Sequence, residues 1–522
     1  MKMKKQIWIV DFGSQYTQLI TRKSRELGHS AELMTLDDCR EAFLSGELPK
    51  CLVLSGGPQS VFEDNTDYSF IFDQVQLPVL GICYGMQLMG KYFGGVVEKG
   101  LIGEYGNAEV SFAAGTELPG VPQKFSVWMS HSDHVKVMPK NFQQLLLSQN
   151  QLLAGMIHKE RPLLGFQFHP EVEHSHFGKN LLAYFYEEVA GLKKDWSSKE
   201  MLNDSLDIVK RTLSEVKDPQ ILCAFSGGVD SLVAATLTSK VVSENMYCFF
   251  VDNGLLRQQD YQHIEILKKN TYLKIEIIDA KQIFLNALKD QTDPEVKRKI
   301  IGKKFIEVFE AKVHEYENSH GLKFTHLLQG TLYPDVIESL SPHEKGGKSV
   351  TIKSHHNVGG LPERMKLKLL EPLRNLFKDE VRAMGLHLGL HHDWVYRHPF
   401  PGPGLGVRIL GEINADAIRI VQHSDQILFE ELKAHNLYQA TWQAFTVYLP
   451  VKTVGVKGDE RAYENALVLR MVNSSDGMTA EWTRMPYEFL DLVSRRITNE
   501  VKGVTRVVYD ITSKPPGTIE WE

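Results

Sequence analysis

Short apolar runs alternate with longer amphipathic segments through most of the chain. In the first 190 residues, the apolar runs predict buried strands and the periodic segments predict helices. The predicted strands are Ile7–Val10, Cys51–Leu54, Pro78–Ile82 and Leu163–Phe168, and the predicted helices are Ser14–Leu27, Met86–Phe93 and Gly178–Val189. This alternation favours a parallel sheet covered by helices, with functional residues at the carboxyl ends of the strands.

The same alternation resumes after a polar, charged segment, residues 191–205, which we interpret as a linker. The strands predicted beyond it are Ile221–Phe225, Tyr247–Val251, Leu273–Ile278 and Phe324–Leu328. Before a helix predicted over Lys378–Leu390, residues 341–365 are rich in glycine, histidine and charge and have little periodicity, which we interpret as a lid. Its adjacent His355 and His356 have no third ligand at suitable spacing, so solvated histidines are favoured over a metal site.

The pattern changes at His398–Leu405, where three prolines and two glycines in eight residues exclude a helix or a central strand. The elements predicted beyond it are the helices Asn414–His435 and Pro486–Val501 and the strands Gln443–Leu449, Ala466–Val472 and Thr505–Ile511. The fold class is therefore α/β: two parallel-sheet α/β domains over residues 1–195 and 196–397, and a small α+β domain over residues 398–522. The elements of this C-terminal domain are too few to cover both faces of its sheet, so we expect a homodimer through this domain.

Composition narrows the class of protein further. The chain has 522 residues, 43% hydrophobic and 24% charged, and a formal net charge of −6, which is typical of a globular enzyme and requires neither a nucleic-acid nor a membrane partner. Five widely spaced cysteines without metal-binding spacing favour a reducing compartment. The N-terminal apolar run ends at Asp11, too short for a signal peptide, and no run reaches membrane-spanning length, so a cytoplasmic location is expected.

The first candidate chemistry lies at the ends of three strands of the first domain. Gly81–Gly85 has the glycine–nucleophile–glycine spacing of a strand-turn-helix elbow, with Cys83 as the nucleophile. His169 and Glu171 follow another strand as a base and its orienting carboxylate, and Ser55–Pro58 follows a third as a glycine turn. Each feature alone is more often a packed cysteine or an ordinary turn, but their coincidence at the strand ends of one sheet favours catalysis.

Four motifs together resemble the triad-type glutamine amidotransferases, whose glutaminase domain is flavodoxin-like. They are Asp11–Tyr16, Ser55–Pro58, Gly81–Gln87 and Phe168–Glu171. The resemblance implies that Cys83 attacks the side-chain amide of glutamine, while His169, oriented by Glu171, acts as base and then as acid. It also implies that Gly57 and the backbone at Tyr84 hold the oxyanion and that Gln87 lines the glutamine pocket. Ser132 departs from the family pattern, which has glycine there.

The second candidate site begins where the strand Ile221–Phe225 ends. Ser226-Gly227-Gly228-Val229-Asp230-Ser231 follows it and leads into a small, apolar helix. Strand, glycine turn and helix together direct backbone N–H groups and a positive helix end at an anion. The loop lacks the lysine of a Walker A motif. An ordinary tight turn is the alternative, but the bracketing serines favour phosphate binding.

This loop resembles that of the ATP pyrophosphatases, whose domain is adenine-nucleotide α-hydrolase-like and which cut ATP between its α- and β-phosphates. The resemblance implies ATP-binding roles for Ser226, Gly227, Gly228, Val229, Asp230, Ser231, Val251 and Lys378. It also implies Mg²⁺, bound with ATP, for which Asp230 is the candidate ligand because a hard cation favours carboxylate oxygen. Lys378 would stabilise the leaving pyrophosphate; without the resemblance, an exposed lysine that opens a helix is equally consistent.

From Asp11 to Glu522 the chain resembles the glutamine-hydrolysing GMP synthases, including the C-terminal segment Lys514–Glu522. That family implies a ligase of guanine nucleotide biosynthesis. It hydrolyses glutamine to ammonia, adenylates xanthosine monophosphate (XMP) with ATP, and forms GMP, AMP and pyrophosphate. Carried over by motif, Arg298, Asp459, Lys514 and Glu520 would contact XMP; from the residues alone, these four are unremarkable surface charges. Leu232 replaces a second serine of the family loop, beyond its phosphate-binding residues.

Two other functions compete with this interpretation. Another adenylating amidase, such as an NAD synthetase, shares the SGGVDS-type loop but usually carries a nitrilase-like glutaminase. A nucleotide-binding regulatory protein without turnover is a hypothesis from another class, although every catalytic residue type is present.

Overall fold

A computed structural model describes residues 5–73, 76–242, 244–335, 366–457, 459–474 and 479–522, without the side chains of residues 101, 102 and 457. The chain divides into two compact units, Met1–Glu200 and Met201–Glu522. The predicted boundary between residues 397 and 398 lies inside the second unit, so the division into three domains stays a prediction. The predicted lid at residues 341–365, with His355 and His356, lies outside the described residues.

The first unit is built around a sheet that has nine strands in the described part of the chain, in the order β2-β1-β3-β4-β9-β8-β7-β5-β6. The strands are β1 (Ile7–Val10), β2 (Ala31–Met34), β3 (Cys51–Leu54), β4 (Val79–Ile82), β5 (Val96–Phe112), β6 (Lys124–Val137), β7 (Phe142–Ser148), β8 (Leu153–His158) and β9 (Leu163–Phe166). The first five in spatial order are parallel, as predicted. The other four strands pair antiparallel and extend the sheet beyond the strands that the sequence predicted.

Helices cover both faces of the parallel half of this sheet. They are α1 (Thr17–Glu26), α2 (Leu36–Leu44), α3 (Ser69–Phe72), α4 (Tyr84–Tyr92) and α5 (Gly178–Ala183), which continues as a π-helix over Tyr184–Val189. Alternate residues of β1 enter different cores: Ile7 and Ile9 pack on one face, and Trp8 and Val10 on the other. This period-two division shows why the short strands read as continuous apolar runs: both of their faces are buried.

Helix α6 (Ser198–Leu213) crosses the boundary into the second unit, so the predicted linker is helical from residue 198 onward. The central sheet of the second unit is parallel, in the order β12-β11-β10-β13-β14. The strands are β10 (Ile221–Ala224), β11 (Met246–Asp252), β12 (Lys274–Asp279), β13 (His326–Leu328) and β14 (Lys368–Leu370). The helices around it are α7 (Val229–Val242), α8 (Gln258–Asn270), α9 (Lys281–Leu288), α10 (Pro294–His320), α11 (Lys378–His387) and α12 (His392–Val395).

The long helix α10, which the sequence pattern did not predict, carries clear terminal signals. The carboxylate of Asp293 accepts the N–H of Val296 as an N-cap, and Pro294 occupies the first turn. Gly321 ends the helix in the left-handed conformation, with φ 64°. The helix was not predicted because its amphipathic periodicity is weak, although its caps, Asp293 and Gly321, mark both of its ends.

The last part of the second unit is an α+β layer, as predicted. Its elements are a 3₁₀ turn (Gly404–Val407), α13 (Ala415–Ala434), β15 (Gln443–Lys457), β16 (Glu460–Asn473), β17 (Glu481–Trp482), α14 (Tyr487–Glu500) and β18 (Val504–Tyr509). Helices α13 and α14 bury one face of the sheet. On the other face, Leu410 and Ile519 pack over Phe445, Val447 and Val468. None of the helices within the described ranges is both long and apolar enough to cross a membrane.

Candidate active sites

Strand β4 passes into helix α4 through a single residue, Cys83. Its backbone has φ 51° and ψ −104°, a strained conformation for a residue other than glycine. The turn is tight because Gly81 and Gly85 leave no space for side chains. A Cβ on Gly85 would lie 2.3 Å from the carbonyl oxygen of Leu54, and a Cβ on Gly81 would lie 2.6 Å from the carbonyl oxygen of Gly85. The helix begins at Tyr84, two residues before the predicted start, and places its N-terminus at the thiol.

His169 and Glu171 are buried beside this elbow. Nδ1 of His169 lies 2.7 Å from Oε1 of Glu171, and the imidazole is near enough to Cys83 for the two side chains to interact electrostatically. Burial opposes protonation of the imidazole, but the charge of Glu171 and the interactions with Cys83 outweigh it and raise the pKa of His169 to about 10. The structure thus brings the three predicted residues into one array, in which the imidazole can exchange a proton with the thiol.

Two groups near the thiol were missed by the sequence analysis. The carbonyl oxygen of Ser130 and Nε2 of Gln167 each lie 3.8 Å from Sγ of Cys83. Ser130 belongs to β6, one of the strands that the apolar pattern did not reveal. Gln167 directly precedes the Phe168-His169 motif, and that adjacency was the available signal. An amide donor at this distance can stabilise negative charge on the sulfur.

The residues predicted to hold the oxyanion and glutamine are fixed by backbone contacts. A Cβ on Gly57 would lie 2.7 Å from the carbonyl oxygen of Phe12, so only glycine fits this turn. Nε2 of Gln87 donates to the carbonyl oxygen of Asp133 at 2.7 Å. The hydroxyl of Ser132 donates to the Asp133 carboxylate at 3.2 Å, which shows how the loop accommodates serine in place of the expected glycine.

The phenol of Tyr84 is already engaged in a hydrogen bond within the protein. This phenol donates to the carboxylate of Asp64, to which Tyr68 also donates at 2.6 Å. Burial would raise the pKa of Asp64, but hydrogen bonds from Tyr68, Tyr84 and Thr66 lower it to about 2. The group of Tyr84 suited to an oxyanion is therefore its backbone N–H, at the first turn of α4.

The loop after β10 is closed by its two serines. Oγ of Ser226 lies 3.0 Å from Oγ of Ser231 and accepts the N–H of Gly228 at 3.2 Å. Gly227 has φ 72°, and a Cβ there would lie 2.5 Å from the side chain of Ile264. Helix α7 then begins at Val229 of the predicted loop. Strand, loop and helix N-terminus form the arrangement expected of an anion site.

Asp230 and Lys378 meet beside this loop, as an ion pair with Nζ 2.5 Å from Oδ2. The other carboxylate oxygen of Asp230 is buried and has no hydrogen-bond partner in the described part of the chain. An unpaired carboxylate oxygen beside a phosphate loop fits Mg²⁺. No group of three or more His, Cys, Asp or Glu in the described residues forms a complete metal site. A cation here would therefore share its coordination with phosphate oxygens.

Val251, predicted to lie under adenosine, is buried near the carboxyl end of β11. The carboxylate of the next residue, Asp252, accepts the hydroxyl of Tyr261 at 3.0 Å and pairs with Nζ of Lys281 at 3.1 Å. No sequence motif indicated a role for Tyr261 or Lys281. Val251 itself packs in the hydrophobic core with Leu222 and Phe249, so its role under adenosine stays a prediction.

Of the four predicted XMP contacts, Arg298 contacts the C-terminal segment and Glu520 belongs to it. Arg298 donates to the carbonyl oxygen of Glu522 at 2.5 Å. Both carboxylate oxygens of Glu520 accept from the buried Arg408, at 2.9 and 3.1 Å, and Gln443 donates to one of them at 2.8 Å. Glu520 also lines a cavity of about 440 Å³ between β16, β18 and this segment. Glu520 is thus already held by the protein, a role that its sequence position did not indicate.

The other two predicted contacts are Lys514, at the start of the C-terminal segment, and Asp459. The backbone of Lys514 pairs with Ala480 through hydrogen bonds of 2.7 and 3.0 Å. Asp459 lies at the exposed turn between β15 and β16. Among the described residues, no contact joins Asp459 to Arg298 or Glu520. The structure therefore places Arg298, Lys514 and Glu520 in or beside the C-terminal segment, and the grouping of all four residues at one site stays a prediction.

Family models match three parts of the chain. Residues 8–189 match the class-I glutamine amidotransferases, residues 201–331 match NAD synthase, and residues 430–521 match the GMP synthase C-terminal domain. The glutamine amidotransferase model covers the elbow cysteine and its buried histidine, and the NAD synthase model covers the serine-bracketed loop. Fold and sites together define a glutamine amidotransferase joined to an ATP-binding synthetase.

Relatives match almost the whole chain. The glutamine-hydrolysing GMP synthase of Chlorobium phaeovibrioides is 48% identical, over 99% of both chains, and that of Campylobacter jejuni is 49% identical, over 99% of this chain and all of its own. The chain belongs to the family of the glutamine-hydrolysing GMP synthases. Among solved structures, a glutamine amidotransferase from Thermotoga maritima is 21% identical, with a TM-score of 0.26 over 35% of this chain and 82% of its own.

Proposed function

We propose that this protein makes GMP from XMP, with glutamine as the nitrogen donor and ATP as the activating nucleotide. The observation that carries the proposal is the full-length relationship to glutamine-hydrolysing GMP synthases. The two candidate sites supply the two half-reactions that such an activity needs. Formation of NAD is less well supported, because residues 430–521 match the GMP synthase C-terminal domain.

In the first half-reaction, Cys83 attacks the side-chain amide carbon of glutamine. His169, having taken the proton of the thiol before the attack, gives it to the departing ammonia, while Glu171, 2.7 Å away, holds the imidazole in orientation. The N–H groups at Gly57 and Tyr84 are the candidate donors to the developing oxyanion. Water then attacks the acyl-enzyme, and glutamate is released.

In the second half-reaction, the C2 oxygen of XMP attacks the α-phosphorus of ATP, and pyrophosphate leaves. Ser226 and Ser231, with the N–H groups of their loop, hold the pyrophosphate portion, and Lys378 offsets its charge. Asp230 would hold Mg²⁺, which would neutralise phosphate charge when bound. Ammonia then displaces AMP from C2 to give GMP. Arg298, Asp459, Lys514 and Glu520 are the proposed contacts to XMP.

We also propose that the protein is a homodimer through its C-terminal layer and works in the cytosol. Val454 and Val456 of β15, with Tyr463 opposite on β16, are 52%, 74% and 60% exposed on one hairpin. Apolar surface of this kind favours burial against another chain. The five cysteines are buried and form no disulfide, which suits a reducing compartment.

Replacing the nucleophile tests the division of labour between the two half-reactions. A Cys83→Ala enzyme should lose GMP formation from glutamine and keep it with high ammonium, because only the first half-reaction needs the thiol. AMP, pyrophosphate and GMP would be quantified in both assays, with XMP and deamido-NAD offered side by side. Equal loss with ammonium, or a preference for deamido-NAD, would contradict the proposal.

A further inference from the structure

The central sheet of the second unit reverses its strand order at one place. From β10 the chain passes to β11 and β12 on one side, and then to β13 and β14 on the other. The crevice at the carboxyl ends of β10 and β13 is therefore the topological switch point, where α/β sheets bind their ligands. The phosphate loop follows β10 on one side of this crevice. The other side is formed by the residues that follow β13.

The residue that follows β13 is Gln329, whose carboxamide has no hydrogen-bond partner among the described residues. The residue is 8% exposed, and both Nε2 and Oε1 are buried and unsatisfied. Its backbone is fixed, because its N–H donates to the carbonyl oxygen of Leu370 at 3.0 Å. A buried amide that lacks partners is costly, so a group with both a donor and an acceptor is suited to occupy it.

The next residue holds Gln329 against the phosphate loop. A Cβ on Gly330 would lie 2.9 Å from the backbone carbon of Asp230 and 3.0 Å from the nitrogen of Ser231. The backbones of the two crevice walls are thus in contact. The carboxamide therefore lies near the place where the α-phosphorus of ATP must meet its acceptor.

The sheet face on which Gln329 lies is the face of α10. Side chains alternate along a strand, so Gln329 follows Leu327, which shares a core with Leu222 of β10 and Ile301 of α10. Arg298, one turn before Ile301, is a proposed contact of XMP. The predicted adenosine surface at β11 lies on the other side of β10. These positions place Gln329 on the acceptor side of the reaction.

We propose that the carboxamide of Gln329 recognises the base of XMP, with Oε1 accepting from N1–H and Nε2 donating to O6 of the xanthine ring. This inference rests on the proposed function. Ser226, Ser231 and Lys378 already supply donors for phosphate, whereas a carboxamide supplies a donor and an acceptor side by side. That pair matches the N1–H and O6 edge of a purine.

The contact is compatible with every step at C2. Attack of O2 on the α-phosphorus forms the oxygen–phosphorus bond and breaks the bond to pyrophosphate, and the proton lost comes from N3. Ammonia then replaces the O2–AMP group at C2, with loss of one proton. N1–H and O6 are unchanged in XMP, in the adenylate and in GMP, so Gln329 can hold the ring throughout.

The test uses the full-length Gln329→Leu enzyme in the ammonium-supported assay, with XMP and with N1-methyl-XMP. We expect the KM for XMP to rise on the order of tenfold to a hundredfold, because N1–H and O6 lose their partner. The KM for ATP should change less than about twofold. Methylation of N1 should impair the wild-type enzyme strongly and the variant little, because both changes remove the same contact.

Stability separates this binding role from a structural one. Leucine removes an unsatisfied buried amide, so the variant should unfold at the same temperature as the wild type or higher. Gln282→Leu, at an exposed position of α9, is the matched control and should change neither property. A lower unfolding temperature with unchanged KM for XMP, or a rise confined to ATP, would overturn the inference. If the wild-type enzyme did not convert XMP at all, the proposed function itself would fail.

Discussion

At the scale of single residues, the glutaminase site concentrates charge in a buried place. His169 is 3% exposed and would be neutral there if burial alone decided its state. The carboxylate of Glu171 and the interactions with Cys83 reverse that preference. The site is therefore arranged to hold a proton on the imidazole, which can later be given to departing ammonia.

A Glu171→Gln variant should lower the pKa of His169, because it removes the charge that offsets burial. Between the ordinary value of 6.5 and about 10, the folded wild type holds a proton on His169 that the unfolded chain does not. The stability gained from that proton is complete below 6.5 and is lost as the pH rises through about 10. In that window the free energy of unfolding should fall with pH by up to about 1.4 kcal/mol per pH unit in the wild type, and less in the variant. Denaturant unfolding at several pH values, with NMR titration of the imidazole, measures both.

Glu173→Gln is the matched control for this prediction. Glu173 lies two residues beyond Glu171, but its side chain is 85% exposed and pairs with Lys23 at the surface. Its loss should leave the titration of His169 unchanged. If the imidazole of Glu171→Gln titrated like that of the wild type, the carboxylate would not be the cause of the raised pKa.

At the scale of elements, the position of Cys83 depends on how closely β3, β4 and α4 approach one another. Gly85→Ala would introduce a Cβ 2.3 Å from the carbonyl oxygen of Leu54. Strand and helix must then separate, so we expect a loss of about 1–3 kcal/mol of stability. Glutamine-dependent activity should fall sharply, while ammonium-dependent synthesis is kept. Chemical denaturation and the two activity assays check these outcomes.

Gly302→Ala gives the opposite expectation and serves as the control. Gly302 lies in α10, is exposed, and has no atom within 4 Å of the place where a Cβ would be. Alanine there should stabilise the helix by about 0.5–1 kcal/mol. Equal effects of the two substitutions would show that close approach at the elbow is not what requires glycine.

The elements that the sequence predicted well are those buried on both faces. β1, β3 and β4 read as short apolar runs because residues such as Ile9 and Val10 enter different cores. The strands β5 and β6 were missed because half of their residues face solvent, and β14 because three residues carry too little pattern. Helix ends shifted by one to three residues, since the caps, and not the apolar pattern, decide them.

For the candidate sites, too, local sequence patterns predicted some residues and missed others. Residues within compact motifs, such as Cys83 and Ser226, were found from local spacing, because one turn fixes their conformation. Residues that reach the site from distant strands, such as Ser130, carry no local signal, since only the tertiary fold places them there. The arginine that holds Glu520, Arg408, was missed because 112 residues separate the two partners.

At the scale of the whole molecule, the C-terminal layer has one covered and one partly open sheet face. Helices α13 and α14 close the first face, and Ile519 of the C-terminal segment closes part of the second. The hairpin of β15 and β16 extends beyond this cover, and its apolar residues remain exposed. The sequence predicted an incomplete layer from its few strands, but the tail that partly covers it has no regular structure to predict.

The exposed hairpin provides a test of the proposed homodimer. Val454 lies directly opposite Tyr463, so a charge at this position would be buried in an interface built on that face. We expect the wild type to sediment at equilibrium with twice the mass of the chain and Val454→Glu with the mass of a monomer, because burial of an unpaired carboxylate is costly. Tyr272→Glu, at a fully exposed position between α8 and β12, should remain dimeric. A monomeric wild type would contradict the proposed homodimer. A Val454→Glu variant that stays dimeric would show that the dimer interface lies elsewhere, because only an interface on this face makes dimerisation depend on Val454.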